Sequence, residues 1–187
     1  MSSIKLESNA SGTGIFTIAS PNSNTNRTLT LPDNTGTILT SATTTGFPAG
    51  SVLQVVSQNY GTQFASSSST FTDTGITVSI TPTSATSKIL ILVTLSGVYK
   101  QTNNTGLIAR LLRGATVLQE FVGNAGFTNT TTANHVGGVS FNYLDSPATT
   151  SATTYKTQFA NLAGSAASVS VQANGESSTI ILLEIGA

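Results

Sequence analysis

The chain carries one histidine, His135, seven carboxylates and no cysteine. Nucleophilic catalysis needs a base held beside the nucleophile. His135 sits in Thr130-Thr-Thr-Ala-Asn-His-Val136, at a loop-to-strand edge, and no Gly-x-Ser-x-Gly elbow occurs. It reads as a surface or interface histidine without catalytic duty. Glycoside hydrolysis needs two acids in one cleft. The acids Glu7, Asp33, Asp73, Glu120, Asp145, Glu176 and Glu184 are dispersed along the chain. Asp33, Asp145 and Glu176 flank turns, where acids commonly hold backbone N–H groups. Metal sites need His, Cys or clustered carboxylates, and no such cluster is present. Gly12-Thr-Gly14 has no third glycine at the dinucleotide spacing and no strand–turn–helix context, so it reads as a turn. The expectation is a non-enzymatic protein with no metal and no cofactor.

The remaining polar chemistry is neutral. Arg110 and Arg113 flank Leu111-Leu112, and an odd separation on a strand points them to opposite faces. They form no basic patch, and isolated acids such as Glu120 on the next strand are the expected partners. The segments 99–106 and 123–134 hold amides, hydroxyls and two aromatic rings, with Lys100 as their only formal charge. Neutral hydrogen-bonding groups beside a ring suit a sugar surface. Tyr99, Gln101, Asn103, Asn104, Phe127 and Asn129 are therefore the candidate contact residues.

The whole composition agrees. Seven Lys+Arg balance seven Asp+Glu among 187 residues, and charged residues make up 7%, against about 25% in an ordinary domain. With zero net charge there is no field to hold a nucleic-acid backbone. The longest apolar run, 89–93, is far short of the roughly 20 residues of a membrane helix, and the N-terminal residues hold no apolar signal core. The 25 Ser and 33 Thr do not signal disorder. Disordered chains are rich in charge and poor in β-branched residues, whereas Thr favours a pleated, half-buried surface.

Residues 1–40 show short alternating pieces (Ile4/Leu6, Phe16/Ile18, Leu29/Leu31) between Gly/Asn/Pro turns, the signature of short strands. So few large side chains cannot build a core alone, so neighbouring chains are expected to complete it. Residues 41–50, uncharged and punctuated by Gly46, Pro48 and Gly50, read as a linker. From residue 51 the strands lengthen: 52–57, 71–80, 88–99, 106–113, 115–122, 135–145, 154–162, 168–173 and 178–185. About nine strands with turns every 8–12 residues predict an all-β sandwich or barrel with almost no helix. Asn174-Gly175, between apolar stretches, predicts a hairpin.

Ile89-Leu-Ile-Leu-Val93 and Ile180-Ile-Leu-Leu183 are apolar on both faces. A strand with one wet face alternates, so both faces should be covered. No helix exists to cover the second, and a symmetric neighbour is the economical cover. Leu90, Leu92, Ile181 and Leu183 are the candidate subunit-interface residues, and a charge at Leu92 or Leu182 is expected to fall in covered space.

Gly14-Ile-Phe-Thr-Ile together with Asn26-Arg-Thr-Leu-Thr-Leu-Pro-Asp-Asn-Thr-Gly-Thr-Ile-Leu39 resembles a segment recurrent in tailed-bacteriophage fibres. Ser51-Val-Leu-Gln-Val-Val, Lys88-Ile-Leu-Ile, the stretch 144–158 and Ser178-Thr-Ile-Ile-Leu-Leu-Glu-Ile185 resemble a C-terminal head domain of such fibres, frequent in phages of marine bacteria. The resemblance touches nearly the whole chain. It implies a homotrimer with a jelly-roll (tumour-necrosis-factor-like) head, and no catalytic residues. It includes neither the extended shaft nor the tail-anchoring domain of a long fibre, which suits a short spike or a protein seated on the capsid. The expected organisation is a base at 1–40 for virion attachment, a linker at 41–50 and a head at 51–187. The expected function is a virion fibre or spike, assembled in the host cytoplasm, whose head loops contact a host glycan or protein. Capsid decoration or cement is the alternative. Expected partners are further copies of the chain and other virion proteins, with no nucleic acid and no membrane insertion.

Overall fold

The computed structural model describes residues 47–163 and 168–187, together with 11–13, 15, 17, 19, 22–26, 28 and 30. The chain divides into two compact units, Met1–Ile38 and Leu39–Ala187, and every strand named below lies in the second. The short strands expected within 1–40, and most of the expected linker, lie outside the described residues.

Ten strand segments follow in order: β1 (Val52–Tyr60), β2 (Phe64–Ser66), β3 (Thr72–Ile80), β4 (Lys88–Lys100), β5 (Leu107–Arg113), β6 (Thr116–Ala125), β7 (Asn134–Asp145), β8 (Thr153–Asn161), β9 (Val169–Val171) and β10 (Ser178–Ile185). The three-residue β2 is the piece that the sequence did not announce. All pairing is antiparallel. In the first sheet β1 pairs with β10, β10 with β4, and β4 with β7 along its other side, while β2 pairs with β9 and β9 with the end of β4. The second sheet has the order β3-β8-β5-β6. The long strands cross from one sheet to the other at every step except the β5–β6 hairpin. This is the connectivity of a jelly roll.

The Asn174-Gly175 pair makes no hairpin. Both β9 and β10 run antiparallel to β4, β9 beside Tyr99 and Lys100 and β10 beside 88–94. They are two halves of one interrupted strand, and 172–177 bulge out opposite 95–98. Gln172, Asn174 and Gly175 take positive φ (53°, 60° and 76°) within this excursion. The Gln172 N–H donates to the Ser96 carbonyl at 2.8 Å, and Glu176 Oε2 accepts from the Gly97 N–H at 2.8 Å. A Cβ at Gly97, itself at φ 61°, would stand 2.3 Å from the Ala173 nitrogen, so only glycine lets the bulge lie this close to β4. Asn-Gly signals positive φ, and a strand bulge uses that conformation as readily as a hairpin does.

The core lies between the sheets. β4 contributes Ile89, Ile91, Val93 and Leu95, β10 contributes Ile180 and Leu182, and the second sheet answers with Ile76, Leu107, Leu111, Tyr155 and Phe159, all buried. Leu182 thus faces the core of its own chain and not a neighbour. Phe121 stacks on Phe141 at 4.9 Å and closes the gap between β6 and β7.

Two polar clusters close the end of the sandwich near residue 50, where the Gly50 N–H donates to the Gly186 carbonyl at 2.8 Å. Arg113 Nη1 meets Asp145 at 3.0 and 2.8 Å, and the Tyr155 hydroxyl donates to the same carboxylate at 2.6 Å. Asp145 therefore binds side chains and not a turn. Burial, reinforced by the Asp145 charge, pushes the Tyr155 phenol far up, so it stays a donor. Arg110 points the other way, as its spacing requires. It stands opposite Glu120 in register, but its guanidinium bonds Gln158 Oε1 at 3.0 and 2.7 Å and lies 3.8 Å over the Phe71 ring. Glu120 is thus not its partner, because Gln158 on β8 offers a planar acceptor at the same level.

Glu184 is the second cluster. It is buried and accepts from Gln54 Nε2 at 2.6 Å and from the Thr83 N–H and hydroxyl at 2.7 Å each. Burial raises its carboxyl, but these donors, Gln54 foremost, outweigh burial and hold it below its ordinary value. A depressed carboxylate contributes stability above its unfolded pKa of about 4.3 and loses it as pH falls through the folded value. The melting temperature should therefore hold from pH 7 to about 5 and drop below about 4.3. Glu184→Gln should melt a few degrees lower at pH 7, about 1 kcal/mol, with a shallower acid slope. An unchanged acid slope in that variant would sink the assignment.

Candidate functional site

Apolar on both faces in sequence, β4 and β10 alternate in burial once folded. Leu90, Leu92, Ile181 and Leu183 all turn away from the core, and all four share the outer face of the first sheet. Register extends this set. Val55 pairs with Leu183, Leu183 with Leu90, and Leu90 with Leu144, so an apolar row crosses β1, β10, β4 and β7. The next row runs Ser57, Ile181, Leu92, Asn142. Val55, Leu92 and Leu144 are 57%, 37% and 52% exposed, a contiguous patch of the kind that marks an interaction site. Sequence reasoning missed Val55 and Leu144. Each sits in a strand of mixed character, and only the register brings them beside the others.

The patch has a polar boundary. In the following row Thr179 donates to Asn59 at 2.6 Å and Thr94 bonds Ser140 at 3.2 Å. Between Lys88 at one end and His135 at the other, the described residues of this face carry no ionisable side chain. The outer face of the second sheet is different. There Lys156 pairs with Asp73 at 3.0 Å, Gln158 donates to Asp73 at 2.7 Å, and Arg110 joins through Gln158. The first sheet's outer face is apolar across its central row and free of ionisable groups between Lys88 and His135, whereas the second carries an ion pair with its amide and guanidinium partners.

The loop candidates gather at the end of the sandwich remote from residue 50. Tyr99 stacks on His135 at 4.2 Å, and Asn174 Nδ2 donates to His135 Nδ1 at 3.3 Å. Gln101 accepts from the Ser168 hydroxyl at 2.7 Å, Asn103 Nδ2 donates to the Asn129 carbonyl at 3.3 Å, and the Asn104 N–H donates to the Thr128 carbonyl at 2.8 Å. The Gln101 and Asn103 side chains are thus partly spent within the protein, while Asn104 holds the loops together through its backbone N–H. Phe127 remains 40% exposed and Asn129 is exposed. Leu162, which the sequence did not single out, follows β8 at 42% exposure and is tied to Gly106 through its N–H at 2.9 Å.

Lys100, the one formal charge of these segments, ends β4 and is buried, with 1% exposure. Its Nζ reaches Thr128 Oγ1 at 2.5 Å, the Thr131 carbonyl at 3.0 Å and the Thr128 carbonyl at 3.4 Å. Among the described residues no three His, Cys, Asp or Glu side chains gather as metal ligands.

No protein-family model matches this sequence, and neither does any curated protein. Among solved structures the chain is similar to VP2 of infectious bursal disease virus in a subviral particle, at 16% identity and TM-score 0.41, with 72% of this chain and 37% of VP2 covered. A mutant VP2 of the same virus in T=1 particles gives 16% identity and TM-score 0.41 over 73% of this chain and 37% of that one. The Gx strain of the virus gives 15% and 0.34 over 72% and 37%. The chain spans well under half the length of these proteins. Likeness of this extent bears on neither family nor function, and the two-sheet fold rests on the strand pairing itself.

Proposed function

We propose that this protein is a non-enzymatic virion structural protein. Its jelly roll assembles as a homotrimer through the outer face of the first sheet, and the far-end loops contact the host surface as a fibre or spike. The observation that carries this reading is the row Val55, Leu183, Leu90, Leu144 with its neighbours Leu92 and Ile181: apolar, uncharged and open on one chain. The sequence resemblance to phage fibre heads supports the virion setting and the threefold state. The neutral far end supports contact through hydrogen bonds and a stacking ring.

Single neutral hydrogen bonds contribute about 0.5–1.5 kcal/mol, so one head binds weakly and linked heads gain by avidity. Adsorption of host cells is expected to fall at least tenfold when Phe127 and Asn129 are both changed to Ala, with trimer mass and particle stability unchanged. Salt should affect it little, because no free charge takes part. Unchanged adsorption, with hundreds of copies per particle and weaker capsids when the protein is removed, would overturn the fibre reading in favour of capsid decoration.

A further inference from the structure

We infer that Lys100 is the positioning residue of the far-end surface, its ammonium acting as a tethered cation inside a cage formed by residues 128–131. An ammonium carries three N–H donors and no acceptor. Here three oxygens stand within reach, the Thr128 carbonyl, Thr128 Oγ1 and the Thr131 carbonyl, all from the β6–β7 connection. The Thr128 hydroxyl turns its own proton to the Thr131 carbonyl at 2.8 Å, which leaves its lone pairs for Lys100. Among the described residues no carboxylate bonds the Lys100 ammonium. Asp73, Asp145, Glu176 and Glu184 are engaged elsewhere, with Lys156, Arg113, the Gly97 N–H and Gln54 in turn.

A buried cation without a counter-ion is costly unless every donor is satisfied. The cost is therefore tied to loop geometry. Opening 128–131 strips the ammonium of all its named acceptors at once. Among the described residues the loop is also held by Asn103 and Asn104 of the β4–β5 connection and by Asn134 Nδ2 donating to the Gly126 carbonyl at 3.2 Å. A Cβ at Gly126, itself at φ 73°, would stand 2.8 Å from Val136 Cγ2 and 3.8 Å from Lys100 Cγ, so glycine lets the loop enter over the end of β4. The strand end and the loop thus hold each other, and Phe127 and Asn129 are presented by that lock. Its bearing on host contact rests on the reading above, but its test does not.

The test is amide hydrogen exchange on the full chain. Lys100→Met keeps the stem and removes the charge. Exchange within 126–133 should rise at least tenfold, with β1, β4 and β10 amides and the oligomer mass unchanged. Lys100→Ala should regain protection in n-propylammonium, which replaces the missing atoms, and not in tetramethylammonium, which has no N–H. Thr128→Val, which leaves the core untouched, should loosen the same segment. Protection unchanged in Lys100→Met would overturn the proposal. Loss spread evenly over the sandwich, together with a protected Thr128→Val, would overturn it too. Because no host is present, this outcome is independent of whether Phe127 and Asn129 bind one.

Discussion

Changing Leu92 and Leu183 together to Asp is expected to leave a folded monomer where the unchanged chain scatters light as about three times 19.1 kDa. Both side chains point out of the first sheet, and on a single chain they meet water. The sandwich should therefore accept the carboxylates with little loss in melting temperature. Assembly should not. A lasting interface of this kind buries on the order of 2,000 Å² or more, and a carboxylate sealed within it without a partner costs several kcal/mol. At about 1.4 kcal/mol per tenfold, the association constant should drop a hundredfold or more. Leu182→Asp supplies the contrast. One position away, Leu182 is fully buried among the core residues of its own chain, so a charge there should prevent folding altogether. A monodisperse monomer from the unchanged chain, or a trimer that survives both outward carboxylates, would sink the assembly reading.

The second large effect concerns the cluster that closes the sandwich near residue 50. Arg113→Met should lower the urea midpoint by the equivalent of about 3 kcal/mol without changing the slope. The Asp145 side chain is only 7% exposed and the Arg113 side chain 31%. Removing the guanidinium leaves the carboxylate with the Tyr155 hydroxyl as its remaining partner. Breaking one side of a buried pair costs about 3–5 kcal/mol, and the partial exposure of Arg113 places this case at the low end. Asp145→Asn added to Arg113→Met should recover much of the loss, because the stranded charge is gone. A loss under about 1 kcal/mol would mean that water reaches Asp145 and the pair contributes little.

Local chemistry by itself determined the fold class and much of the candidate face. Thr, Val and Ile at period two, broken by Gly, Asn and Pro, commit the backbone to strands and turns wherever they occur. The strands 72–80, 88–100 and 178–185 were accordingly readable to within a residue. The double apolarity of β4 and β10 marked them as strands with something to cover on both sides, and Leu90, Leu92, Ile181 and Leu183 do share one outward face.

What only the tertiary structure decided is what depends on which strand lies beside which. Side-chain direction alternates at every residue, so Leu182 and Leu183 look alike in sequence and part company only when β10 is docked on β4 and β1. Val55 and Leu144 join the apolar row solely through pairings that span well over a hundred residues for Val55 with Leu183 and more than fifty for Leu90 with Leu144. Asn174-Gly175 specifies positive φ and nothing about reversal. Its chain stays on course because β9 and β10 both find the same side of β4. In sequence Lys100 is only the lone formal charge of segments 99–106 and 123–134, yet the closing of 128–131 over the end of β4 supplies it with three oxygens that no nearby stretch of sequence announces. Arg113 likewise finds Asp145 across the sandwich instead of a neighbour on its own hairpin. In each case the deciding contact is made between segments distant in the chain, and its free energy exists only after the sheets have packed.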